Sequence, residues 1–282
     1  MTPINSQKRQ QFITDGFCRF PNILDSELIA QLNHISNEVL SAQEPAHFEQ
    51  QRTTGSMVLI DWDMIYQYSG MAELVAHPKM VQALAELGFA QPKFGHGRII
   101  SKPAYSPPLF WHEDGRFWDD PVSYTTQPIQ CFLMYYLTDT SPKNGCLRVI
   151  PGSHLKRHPL HDQTLPRHTD ELRTYANPDN IAFQRAAGEI DVPVKAGDLV
   201  IGFGTLFHAA HANQTAGRRT VYPDYVDLPQ PTQATVAYLE RGNQPKIKTV
   251  ERQQEMLAPL RISYEGEAEP LEQQWVPSEH LR

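Results

Sequence analysis

From about residue 93 onward, short apolar runs recur and each is cut off by Pro, Gly, Asn or Asp. They are GRIISK (97–102), PIQCFLMYYLTD (128–139), CLRVIPG (146–152), EIDVPVKAGDLVIGFG (189–204) and RTVYPDYVDL (219–228). They are rich in β-branched and aromatic residues, which reads as a series of strands. Many short strands with regular turn signals predict a sandwich or barrel, not a helix bundle. KAGD (195–198) and PKNG (142–145) have the composition of hairpin turns. The segment 155–186, rich in His, Pro and Asp, reads as a long insertion.

The residues before 93 read as mostly helical. Leu28, Leu32, Ile35 and Val39 recur at helical spacing behind a capping Asp25 or Ser26. A second helix is predicted from Pro78, a good first-turn residue, to Gly88 as its stop. Between them LIDWDMIYQYSG (59–70) reads as an irregular aromatic loop packed on the core or walling a pocket, with Trp62 and Tyr66 as candidate substrate contacts. The tail after about residue 229 is polar. We expect one domain over 1–282: a helical region about 1–92, a β core about 93–228 and a C-terminal extension about 229–282.

Composition excludes several functions. Lys and Arg number 25 against 32 Asp and Glu, a net charge of −7, which disfavours a nucleic-acid binder with a broad basic surface. No run of 18 apolar residues predicts a membrane span. The opening MTPINSQKRQQF lacks the apolar stretch of a secretory signal. Three cysteines, Cys18, Cys131 and Cys146, are too few and odd in number for a disulfide framework, so a cytoplasmic location is expected.

Histidine occurs 12 times, so a lone His says little. One cluster differs: Phe110-Trp111-His112-Glu113-Asp114. In an extended segment residues i and i+2 project together, so His112 and Asp114 share a face and Glu113 opposes it. An imidazole and a carboxylate on one face can chelate a metal. After GDLVIGFG, a His closing a buried strand (His208 in TLFHAAHAN) can supply a third ligand. Two imidazoles and one carboxylate form the facial triad of non-haem Fe(II) oxygenases, with three coordination positions left open. Arg219, eleven residues after His208, offers a planar fork for the far carboxylate of a chelating 2-oxo acid. Arg218 beside it reads as a surface residue.

Taken in order, FWHED (110–114) with Trp118, NGCLRVIPGSH (144–154) and HAAHANQTAGRR (208–219) resemble the phytanoyl-CoA dioxygenase family. FITDGFCRFPNIL (12–24) resembles the family's N-terminal segment, so the likeness covers roughly residues 9–228. It implies a double-stranded β-helix (jelly-roll) fold with flanking helices, and Fe(II), 2-oxoglutarate and O2 as cofactor and co-substrates. His112, Asp114 and His208 are the implied metal ligands and catalytic residues. Asn213, Thr215 and Arg219 stand at the family's +5, +7 and +11 positions, which favours His208 over His211 as the distal ligand. Trp118 matches an aromatic beside the co-substrate. Where some relatives have Ser two residues after the distal His this chain has Ala210, so Thr138 or a tyrosine of the 135–136 pair is considered instead.

His154 and His96 read as packing residues. Arg116, the 119–127 loop and the 155–186 insertion are assigned to substrate choice. Because Asp114 is present where related halogenases have a small residue, the resemblance implies hydroxylation of a small-molecule substrate or another oxidation at the same centre, with desaturation, demethylation and ring formation left open. A non-catalytic jelly-roll binder and a different metalloenzyme, such as a zinc hydrolase on the same ligands, are the alternatives. The substrate itself and the oligomeric state are not legible.

Overall fold

The computed structural model describes residues 7–42, 58–61, 68–75, 77–89, 93–114, 124, 126, 128, 130–164 and 170–227. The helices precede most of the strands. α1 (Gln7–Asp15), α2 (Ser26–Ser41), α3 (Ser69–Val75) and α4 (Pro78–Glu86) all lie before residue 93. Asp25 caps α2 by accepting the Leu28 N–H at 2.9 Å, and Leu28, Leu32, Ile35 and Val39 are buried as the spacing predicts. Each such aliphatic side chain contributes roughly 1.5–3 kcal/mol by leaving water.

The strands form two antiparallel sheets. The larger contains β1 (Phe17–Phe20), β2 (Val58–Asp61), β3 (Lys93–Lys102), β5 (Gln130–Tyr136), β8 (Leu199–Phe203) and β10 (Arg219–Asp227), in the order β1-β8-β5-β10-β3-β2. The smaller has the order β4-β9-β6-β7, built from β4 (Leu109–His112), β6 (Leu147–Val149), β7 (Ile190–Val192) and β9 (His208–Ala210). The result is a mainly β jelly roll with flanking helices. Short helices α5 (Leu160–Gln163) and α6 (Asp170–Arg173) lie in the long insertion.

Three features differ from the sequence expectation. β1 and β2 come from the helical region yet pair with β8 and β3. The stretch read as an irregular loop therefore begins as a strand, Val58–Asp61, and ends in the helix that starts at Ser69. The turns at PKNG and KAGD do not close hairpins. The first carries the chain from β5 to β6 and the second from β7 to β8, each time from one sheet to the other. A turn motif encodes the reversal, whereas the sheet that receives the next strand depends on which apolar face must be covered.

The alternation along β5 sorts the larger sheet's two faces. Tyr135 looks toward the helices, its hydroxyl donating to the Leu74 carbonyl of α3 at 3.3 Å. Phe132 looks inward, its ring 5.0 Å from that of His208. Gly202, the register partner of Phe132, leaves the space that this ring fills; a Cβ there would stand 2.2 Å from it. Lys102, Arg219, Val221 and Tyr136 belong to the inner face by the same register.

All three cysteines are buried free thiols, and burial pushes Cys18 up to about 12 and Cys146 up to about 11. His154 ties the PGSH turn to α1, donating from Nε2 to the Ile13 carbonyl at 2.9 Å, while its ring packs on Phe203. Burial lowers its pKa. The unfolded chain therefore takes up the proton first, and this group costs stability as pH falls below the unfolded value of about 6.5. His154→Gln keeps a donor toward Ile13, so melting temperatures measured from pH 7.5 to 5.5 should decline less steeply for it than for the wild type. Equal slopes would assign the acid sensitivity elsewhere.

Candidate metal centre

β4 and β9 are neighbours, and their register sets His112 across from His208. The two rings lie 4.1 Å apart at 48°. Each ring is oriented from its own strand: His112 Nδ1 donates to the Phe110 carbonyl and His208 Nδ1 to the Leu206 carbonyl, both at 3.0 Å. A carbonyl can only accept, so Nδ1 carries the proton and each Nε2 keeps its lone pair for a metal. Asp114 closes the triangle. Its Oδ1 is 3.9 Å from His112 Nε2 and its Oδ2 is 3.4 Å from His208 Nε2. One ligand atom from each of the three lies within 4.8 Å of the others, and all three residues are buried. Buried imidazoles facing a carboxylate at these separations fit one divalent ion with open positions.

His211, the rival distal ligand, is elsewhere. Its Nε2 pairs with Asp191 Oδ1 at 2.6 Å, on a half-exposed site outside the cluster. Glu113 faces away from His112 and Asp114, as strand alternation requires, and meets His161 of α5 at 3.1 Å. Part of the insertion assigned to substrate choice thus packs behind the ligands: Leu160 joins Trp111, Ile150, Phe207 and Ala209 in a small apolar cluster.

Arg219 opens β10 and is 4% exposed, with no hydrogen-bond partner at Nε. The titratable groups that influence it among the described residues, Tyr136 and Cys146, are not carboxylates, and burial lowers its pKa. A guanidinium held in this way is a ready site for an anion. Its neighbour across the ladder is Lys102, fully buried, whose ammonium donates to the Pro107 carbonyl at 2.6 Å. Burial first, then Arg219, pull Lys102 well below the ordinary lysine range. Gly145, at φ 90°, lets the Lys102 stem pass; a Cβ there would lie 2.6 Å from it. Sequence reasoning missed Lys102. The available signal was a lysine ending a buried β run.

Asn213 and Thr215 build the turn that delivers Arg219. Asn213 Oδ1 accepts from the Thr215 N–H at 3.0 Å and hydroxyl at 2.7 Å. Its Nδ2 donates to Gly217 O at 2.7 Å and to Pro103 O at 2.8 Å, one residue beyond Lys102. Thr138 holds the same region, its hydroxyl accepting the Thr220 N–H at 3.2 Å. Trp62, Tyr66, Arg116 and Trp118 lie outside the described residues. No helix among the described residues is long and apolar enough to cross a membrane.

The sequence model of the family described as phytanoyl-CoA dioxygenase (PhyH) matches residues 12–221. The chain is 23% identical over 223 residues to the ectoine dioxygenase of Bordetella parapertussis, covering 74% of this chain and 71% of that one. Among solved structures, the non-haem α-ketoglutarate-dependent epimerase SnoN, in complex with Fe3+, α-ketoglutarate and nogalamycin RO, aligns with a TM-score of 0.60. It shares 19% identity and the alignment covers 87% of this chain and 96% of that one. The carbocyclase SnoK aligns at a TM-score of 0.61 and 18% identity, covering 88% and 94% of the two chains.

Proposed function

The chain belongs to the phytanoyl-CoA dioxygenase family, and from that premise we propose that it is an Fe(II)- and 2-oxoglutarate-dependent dioxygenase that hydroxylates a C–H bond of a small-molecule metabolite. The observation that carries this reading is the convergence of His112, Asp114 and His208 within 4.8 Å. Both imidazoles are already committed to Nδ1–H donation, which leaves Nε2 to bind metal. Iron bound by these residues supplies the redox chemistry that couples oxidative decarboxylation of 2-oxoglutarate by O2, giving succinate and CO2, to oxidation of the substrate.

The chain's own residues supply position and polarity. Three protein ligands on one face leave the opposite face open for a chelating keto acid. Arg219 takes its far carboxylate through the fork of the guanidinium, and Lys102 stands beside it across the ladder. The buried, unpartnered Nε of Arg219 supports this assignment, because a zinc hydrolase has no use for such a cation. Phe132, Tyr136 and Val221, all buried on the inner face, keep water from the space between metal and arginine. From the sequence we assign Thr138 and Trp118 to the co-substrate and Trp62, Tyr66 and Arg116 to the substrate. On a bound metal the carboxylate of Asp114 would fill the position a halide needs, which argues against halogenation.

The test is a panel of small-molecule candidates offered to the anaerobically Fe(II)-loaded protein, followed by O2. A substrate should stimulate succinate release and O2 uptake together. If the loaded protein does not bind 2-oxoglutarate, the proposal is wrong.

A further inference from the structure

We propose that the buried His161–Glu113 pair is a clasp holding the two ligand-bearing segments, 112–114 and 207–208, at the spacing one ferrous ion requires. The inference rests on the iron-site reading above, although neither residue belongs to the ligand set.

Glu113 is enclosed in sequence by two of the ligands, and its carboxylate points behind them. There His161 Nε2 stands 3.1 Å from Glu113 Oε1, with neither side chain exposed. The same imidazole packs edge-on against Phe207, ring centroids 4.7 Å apart at 65°, and Phe207 immediately precedes His208. One ring therefore touches the residue inside the His112/Asp114 pair and the residue adjoining the third ligand. The ring is itself anchored. Its Nδ1 lies 3.0 Å from the His158 carbonyl oxygen and 3.1 Å from the His158 N–H, so the 158–161 turn holds it in either tautomer. With Nδ1 accepting that N–H, the Nε2 proton is left to donate to the Glu113 carboxylate. Tyr124 meets the ring from another side, 6.0 Å away at 78°.

The ladder between the ligand strands needs such support. Leu109 pairs with Ala210 and His112 with His208, so the register slips by one residue between these two pairs. Irregularities of this kind re-aim side chains beside active sites but loosen the local pairing. The carbonyls of Phe110 and Leu206 fix how each imidazole is turned. They do not fix how far apart the two segments stand. A directional hydrogen bond plus a ring contact, both on His161, does that. His161 is thus a positioning residue that acts through Glu113 and Phe207.

The experiment uses the purified full chain without metal, titrated anaerobically with Co(II) as a spectroscopic stand-in for Fe(II). The double variant Glu113→Met with His161→Phe replaces the polar pair by apolar side chains, a change that buried ion pairs often tolerate in stability. Circular dichroism and the melting temperature of the metal-free protein verify that it folds. The clasp predicts a fall in Co(II) affinity of about 10–100-fold, the size typical for loss of a ligand-orienting partner. It also predicts an altered visible Co(II) spectrum, with the metal-free melting temperature little changed. A folded double variant with wild-type affinity and spectrum overturns the inference while leaving the iron site standing. Should the double variant not fold, His161→Gln against His161→Leu carries the test. The Gln amide can still donate to Glu113 and should retain most of the affinity, whereas Leu should lose it; equal affinities overturn the clasp. A wild type that binds no Co(II) overturns the iron-site reading, and this inference with it.

Discussion

Asp114→Ala is expected to cut substrate-dependent succinate release at least about a hundredfold, equivalent to roughly 2.7 kcal/mol of barrier. Asp114 is the one anionic member of the three-residue cluster, and the other two are imidazoles whose Nδ1 protons are already donated to backbone carbonyls. Two neutral ligands cannot offset a divalent charge in a site where Asp114 is 8% exposed and both histidines are buried. Metal occupancy should fall together with turnover. The fold should survive, because Asp114 lies two residues beyond the end of β4 and does not pair within it. Succinate release, metal content and the circular dichroism spectrum of the variant together decide the point. Retention of more than about a tenth of the activity would remove Asp114 from the ligand set.

Arg219→Met is expected to act on the co-substrate and spare the metal. Truncating one partner of a buried, hydrogen-bonded charge pair costs about 2–5 kcal/mol. The dissociation constant for 2-oxoglutarate should therefore rise by at least roughly thirtyfold. Co(II) or Fe(II) affinity in the absence of 2-oxoglutarate should be unchanged. The metal-free protein supplies a second sign. Arg219 is buried with Nε unpartnered, and burial works against its charge, so replacing it with an apolar side chain should leave the melting temperature unchanged or raise it. A large loss of stability, or an unaltered 2-oxoglutarate affinity, would show that the arginine serves the scaffold and not the co-substrate. Calorimetric titration with 2-oxoglutarate alongside thermal melts separates the two.

Both variants target residues that the linear sequence already singles out, for a simple reason. The i, i+2 alternation of extended chain is a local property, so His112 and Asp114 sharing a face follows from their spacing alone. The same holds for α2, whose apolar period and Asp25 cap are written within one stretch. Arg219 and the Asn213–Thr215 turn are also local, since eleven residues of turn and strand carry one to the other. β1 was different. FCRF is four residues long, and nothing in four residues says that β8 will pair with them. Lys102 is likewise visible as a lysine in an apolar run, but its importance comes from Arg219 standing beside it across a ladder more than a hundred residues away in the chain.

His161 marks the far limit of what the sequence offers. It sits among prolines and histidines in an insertion whose composition suggests a surface loop, yet its side chain is fully enclosed between Glu113 and Phe207. What the sequence alone determined was local: which side chains share a face, which helix is capped where, and which turn leads into Arg219. The tertiary structure alone decided which strands cross between sheets, which cation faces which, and which side chains pack behind His112 and His208. Alternation, capping and turn formation are set within a few residues. Sheet partnership and burial depend on covering apolar faces drawn from distant parts of the chain, and no local pattern records that choice.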